Sequence, residues 1–145
     1  MKKIINVDDD LTQSYTLKKR LERLGDYEVI GIESGQKCLE WLENHHVPDL
    51  ILLDIMMPEM SGWQVYKRLR QNDKWKKIPV AFLTAKTDNF SIALGKILSE
   101  AYIEKPFEIE ELKQKIEEII STPVTFSKDR ERIIEDMIKK MLDSD

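Results

Sequence analysis

The chain has 145 residues, a length that points to one domain around one core. Its 23 Lys and Arg against 27 Asp and Glu leave a net charge of -4, which excludes an overall electrostatic footprint for nucleic acid. A hydrophobic fraction of 41% excludes intrinsic disorder, and a single cysteine, Cys38, excludes an intramolecular disulfide or a multi-cysteine zinc site.

In chain order, Ile4 to Val7 is a short apolar run ending in acids, and reads as a strand. Asp8-Asp9-Asp10 cuts this run short of a signal-peptide core, and no apolar stretch reaches bilayer-spanning length, so the chain reads as soluble and cytoplasmic. Leu11, Leu17, Leu21 and Leu24 predict a helix closed by Gly25. Tyr27 to Ile32 is a second strand, and Ser34 is the N-cap of a helix carrying Cys38, Leu39 and Leu42. His45-His46 fall in a solvated turn before Pro48.

The run from Asp49 to Asp54 is apolar at successive positions, as in parallel strands buried on both faces. Pro58 and Gly62 shape the loop after it, and a helix follows with Val65, Tyr66 and Leu69, covered by Trp63 and Trp75. Residues 78–83 form a fourth strand ending at Thr84, 89–98 a helix, and 101–103 a short strand ending at Glu104 and Lys105. Pro106 then permits a helix carrying Ile109, Leu112, Ile116, Ile119 and Ile120. Five strands alternating with five helices predict a doubly wound, five-stranded parallel sheet. Residues 121–126 break the pattern as a linker. Over 127–145, Ile133, Ile134, Met137, Ile138, Met141 and Leu142 predict an extra C-terminal amphipathic helix. It is too short to hold a core, so its stripe covers its own domain, a second copy or a partner.

Ligands of such folds bind at the carboxyl ends of the strands. There this sequence places Asp8, Asp9 and Asp10, then Asp54, Thr84 and Lys105. Packed carboxylates repel one another, and a hard divalent cation such as Mg²⁺, which accepts oxygen ligands and keeps waters, relieves the repulsion. A carboxylate there can attack phosphorus to give an acyl phosphate, with Lys105 and Thr84 facing the charge on the phosphoryl oxygens. Asp10 reads as a helix cap.

Val7-Asp8-Asp9, Asp54 with Met57-Pro58 and Gly62, Thr84-Ala85, and Tyr102-Ile103 with Lys105-Pro106-Phe107 stand in the order and near the spacing of a known family. Over residues 1–120 the sequence resembles a response regulator receiver domain of two-component signal transduction, of the single-domain, chemotaxis-regulator-like kind. The resemblance implies a flavodoxin-like (βα)5 fold that is not an enzyme. It implies Asp54 as phosphoacceptor, and Mg²⁺ held by Asp9, Asp54 and the Met56 backbone carbonyl, with Asp8 helping to position it. Lys105 would pair with the phosphoryl group. Thr84 and Tyr102 would form the switch, Tyr102 swinging inward as Thr84 turns to the phosphoryl group. The implied partners are a histidine kinase or phosphotransfer protein and an unknown downstream protein; a homodimer stays open.

The sequence departs from the family where Gly-Ala commonly precedes the aromatic strand: Leu98-Ser99 stand there, with Gly95 earlier. Met56 and Lys86 occupy positions that tune the phosphoryl lifetime in the family. Two other readings stand beside this one. The chain could be the receiver part of a longer DNA-binding response regulator. Alternatively, Asp8-x-Asp10-x-Thr12 resembles the nucleophile motif of haloacid-dehalogenase-type phosphatases, which would leave Asp54, Pro58 and Gly62 without a role.

Overall fold

Apolar runs too short for helices and bounded by Gly, Pro or acids become the strands of a parallel sheet. The computed structural model describes residues 1–122 and 128–142. Its elements are β1 (Lys2–Val7), α1 (Leu11–Leu24), β2 (Tyr27–Ile32), α2 (Gly35–Asn44), β3 (Leu50–Leu53), α3 (Gly62–Arg70), β4 (Val80–Thr84), α4 (Asn89–Leu98), β5 (Ala101–Glu104), α5 (Ile109–Ser121) and α6 (Lys128–Met137). A π-helical turn, Ile138–Leu142, extends α6. Most of the predicted linker, together with residues 127 and 143–145, lies outside the described residues.

The strands lie in the order β2-β1-β3-β4-β5, all parallel, with the pairings Ile5 to Ile30, Val7 to Leu53, Leu53 to Phe82 and Phe82 to Tyr102. Parallel neighbours need crossovers, and the helices supply them on both faces. Ile51 and Leu53 of β3 belong to the core under α2, α3 and α4 with Cys38, Val65, Tyr66 and Leu98. Leu50 and Leu52 belong to the core under α1 and α5 with Leu17, Leu21, Leu112 and Ile116. The unalternating apolar run of β3 thus reports burial on both faces.

Several details differ from the sequence reading. Leu11 is 60% exposed and Leu24 39% exposed, so the α1 stripe is Leu17 and Leu21. Leu11 precedes Leu17 by six positions and Leu21 by ten, which sets it about 120° and about 80° from them around the helix. Gly25 ends α1 in extended backbone, φ -159°, and not in a left-handed cap. Its missing side chain makes room for the Tyr27 ring, which a Cβ would meet at 2.4 Å. β4 starts at Val80, after Pro79, which has no N–H for the ladder. Asp10, Ser34, Ser61 and Asp88 cap their helices with side-chain oxygens, and Ser61 and Gln64 close a capping box.

Among the described residues of the C-terminal stripe, Ile134, Met137 and Ile138 face the domain, Ile133 does not, and the side chains of Met141 and Leu142 lie outside the described residues. Ile134 and Ile138 join the core under α2, α3 and α4. Arg130 of α6 donates to Glu100 at 3.1 Å, and Glu100 also accepts from the Val80 N–H at 2.8 Å and lies 3.8 Å from buried Arg70. Arg70 reaches the Ile78 carbonyl at 3.0 Å and the Tyr66 hydroxyl at 3.2 Å. Glu100 therefore ties α6 to α3 and to the starts of β4 and β5. Among the described residues, no helix is long and apolar enough to cross a membrane.

Candidate functional site

In an open α/β sheet the crevice forms where the chain reverses its winding, here between the carboxyl ends of β1 and β3. The ladder sets the two ends level: the Asp8 N–H donates to the Ile32 carbonyl and the Asp54 N–H to the Val7 carbonyl, each at 3.0 Å. Asp8, Asp9 and Asp54 each offer a carboxylate oxygen, and these atoms lie within 4.8 Å of one another. Met56, Ala85 and Lys105 complete the walls of the cleft.

Each acid has a distinct environment. Asp8 is buried, and both of its oxygens are engaged: Oδ1 accepts from the Asp10 N–H at 2.9 Å and Oδ2 from Lys105 Nζ at 2.6 Å. Asp9 is exposed. Asp54 Oδ1 accepts from the Met56 N–H at 3.1 Å, and Oδ2 lies 3.6 Å from Lys105 Nζ. One ammonium therefore serves two carboxylates. Two oxygen-rich acids with an exposed third suit a hard divalent cation, which tolerates few protein ligands and retained water. Asp10 is drawn away from this set, because its carboxylate accepts from the Gln13 N–H at 3.0 Å to cap α1. The Asp8-x-Asp10-x-Thr12 reading therefore loses its second acid.

Lys105 follows β5, and the Lys105–Pro106 peptide is cis. Its Nζ also donates to Gln13 Oε1 at 3.2 Å, a partner that sequence reasoning missed. Gln13 belongs to no motif, and only the fold brings it across from α1. Thr84 ends β4 fully buried, its Oγ1 accepting from the Lys86 N–H at 3.2 Å. The Lys86 carbonyl accepts from the Tyr102 hydroxyl at 2.6 Å. The Tyr102 ring already stands inward, 8% exposed, with its centroid 6.1 Å from that of Phe82, so the inward swing implied by the resemblance is not needed to bury it. Burial, then the nearby charges of Asp88, Glu104 and Asp54, push the Tyr102 phenol up to about 12. Met56 has an exposed side chain, and Met57 turns into the core.

The remaining singled-out residues are structural. Cys38 is fully buried, and burial pushes its thiol up to about 12. His45 stacks on Trp41 at 4.0 Å with Nδ1 2.7 Å from the Trp41 carbonyl oxygen, at the end of α2. Trp75 is buried, and Trp63 tilts against Phe82 at 4.9 Å.

Over residues 4–117 the chain matches the family described as response regulator receiver domain. It is 38% identical over 120 residues to the alkaline phosphatase synthesis transcriptional regulatory protein PhoP of Bacillus subtilis, covering 82% of this chain and 48% of that protein. The chain thus spans about half the length of that relative. It is 31% identical over 121 residues to the chemotaxis protein CheY1 of Helicobacter pylori, covering 83% of this chain and 98% of that one. The solved response regulator protein TrrA of Thermotoga maritima superposes with a TM-score of 0.72 at 32% identity, covering 82% of this chain and 99% of that one. The chain belongs to the response regulator receiver domains of two-component signalling.

Proposed function

We propose that Asp54 accepts a phosphoryl group from a histidine kinase or phosphotransfer protein, and that the resulting charge switches a protein-interaction surface. The observation that carries this reading is the acid cluster with its single ammonium: oxygens of Asp8, Asp9 and Asp54 within 4.8 Å of one another, and Lys105 Nζ against two of the three. An Asp54 oxygen attacks phosphorus, the O–P bond forms as the donor's bond to phosphorus breaks, and the leaving group departs with that electron pair. Lys105, already between Asp8 and Asp54, meets the negative charge on the phosphoryl oxygens.

Asp9, Asp54 and the Met56 carbonyl would hold Mg²⁺, with Asp8 positioning it; the cation supplies charge neutralisation between the carboxylates and the incoming phosphoryl oxygens. The Thermotoga maritima relative was solved in complex with Mg(2+)-BeF, which supports this assignment. Thr84, buried at the end of β4, turns its hydroxyl to the new acceptor, and its bond from Lys86 passes the change to Tyr102. The chain acts on a protein target and not as an enzyme with a turnover substrate of its own. Relatives of both lengths, the chemotaxis protein and the transcriptional regulator, share this module, so the target is proposed only as a protein surface.

The test is intact mass after incubation with Mg²⁺ and acetyl phosphate, with Asp54→Asn beside the wild type. One added phosphoryl group in the wild type and none in the variant is expected. An adduct on Asp8, or one that survives in Asp54→Asn, would overturn the assignment.

A further inference from the structure

Gly95 stands in the middle of α4, where glycine weakens a helix relative to alanine and so calls for a packing reason. The reason is the Tyr102 ring. A Cβ at position 95 would stand 2.1 Å from Tyr102 Cδ2, 2.5 Å from Cε2 and 3.3 Å from Cγ. The first two distances are far inside carbon–carbon contact, so a side chain at 95 and the buried ring cannot share this space.

The helix is the less yielding of the two. Its start is capped by Asp88, whose carboxylate accepts from the Ser91 N–H at 2.9 Å. At its other end the Leu98 carbonyl accepts from the Tyr66 hydroxyl, the Ser99 N–H and hydroxyl both donate to the Gly95 carbonyl, and Leu98 is fully buried. The ring, in contrast, leaves by one rotation about χ1, at the loss of its phenol bond to the Lys86 carbonyl. That carbonyl belongs to the residue whose N–H donates to Thr84 Oγ1, so losing the phenol frees one side of the link between Thr84 and Tyr102.

We propose that Gly95 is a positioning residue of the switch: its missing side chain is what admits the Tyr102 ring to the buried site beneath α4, and any Cβ there expels the ring and unties the Lys86 carbonyl. The consequence for signalling rests on the receiver reading above, whereas the packing does not.

A double-mutant cycle in the full chain separates this role from that of an ordinary helical glycine. The variants are Gly95→Ala, Tyr102→Ala and the pair, read by unfolding midpoint. Gly95→Ala is expected to lower the midpoint when Tyr102 is present and to raise it in the Tyr102→Ala background, where only helix propensity is left. The second readout is ¹⁹F NMR of protein labelled with 3-fluorotyrosine, the Tyr102 resonance being assigned with Tyr102→Phe. In wild type that resonance should be insensitive to exchange of H₂O for D₂O, and in Gly95→Ala it should gain the isotope shift of an exposed ring. A raised midpoint in both backgrounds, or a resonance that stays protected in Gly95→Ala, overturns the proposal. Both readouts need no phosphoryl group, so a wild type that fails to take one from acetyl phosphate would sink the functional reading and leave this test standing.

Discussion

Gly62 and Gly95 show how one missing side chain can matter in two ways. A Cβ on Gly62 would lie 2.3 Å from the Asp54 carbonyl oxygen and 2.7 Å from Ile55 Cα, so the obstacle is backbone and no rotation relieves it. The Gly62 N–H donates to the Ile55 carbonyl at 2.9 Å, which draws the start of α3 onto the loop that carries Asp54 and Met56. Gly62→Ala must push that loop away. Its expected cost is about 1–3 kcal/mol in urea unfolding. Phosphoryl uptake from acetyl phosphate should slow by roughly tenfold or more, because Asp54, the proposed acceptor, is displaced. An unchanged rate would mean that the loop keeps its geometry without the close approach. At this scale the acids, Thr84 and Lys105 were legible, because their residue types carry chemistry at strand ends. Gln13 and the purpose of Gly62 were not, because each is defined by a neighbour that the chain places elsewhere.

Among the elements, α6 is where sequence and structure say different amounts. Its periodicity predicts a helix with one apolar face, and periodicity alone cannot say what that face meets. The structure seats it against the α3 side of the core, with Ile134 3% exposed and its neighbour Ile133 51% exposed. Two adjacent isoleucines of one helix therefore make a controlled pair. Ile134→Ala should cost about 2–4 kcal/mol of unfolding free energy. Ile133→Ala should stay within about 0.5 kcal/mol. Equal, small effects in chemical denaturation would show that α6 does not pack there in solution. Arg130 adds little intrinsic stability as a partly exposed partner. Its significance is positional, since Glu100 holds it beside Arg70 and the first N–H of β4.

For the whole molecule, the strand order decides the site. β1 and β3 are neighbours, so acids that the chain separates by some forty-five residues stand side by side, and Lys105 arrives from β5 at the far edge of the sheet. The three clustered carboxylates of Asp8, Asp9 and Asp54 outnumber the one ammonium set against them, and a divalent cation that binds only the folded chain must stabilise it. At a Mg²⁺ concentration 100 times its dissociation constant the gain is about 2.7 kcal/mol. The unfolding midpoint should rise with Mg²⁺ in the wild type and be nearly indifferent to it in Asp9→Asn. A variant that responds as strongly as the wild type would place the cation elsewhere.

The five strands, their parallel arrangement and the place of the acids at the strand ends were written in the sequence. Runs buried on both faces lose their alternation, helices repeat near 3.6 residues, and the candidate acids stand at strand ends whatever the neighbours are. These are local properties, and local pattern carries them. The α1 stripe went partly astray for the same reason, since Leu11 is apolar but points off the buried face. Three things depended on tertiary structure: that Asp8 gives both oxygens to the protein and Asp9 stays exposed, that α6 folds back on its own domain, and that Gly95 makes room for Tyr102. Each is a distance between side chains or backbone of different elements, set by how the helices seat on the sheet, and no residue pattern within one element encodes it.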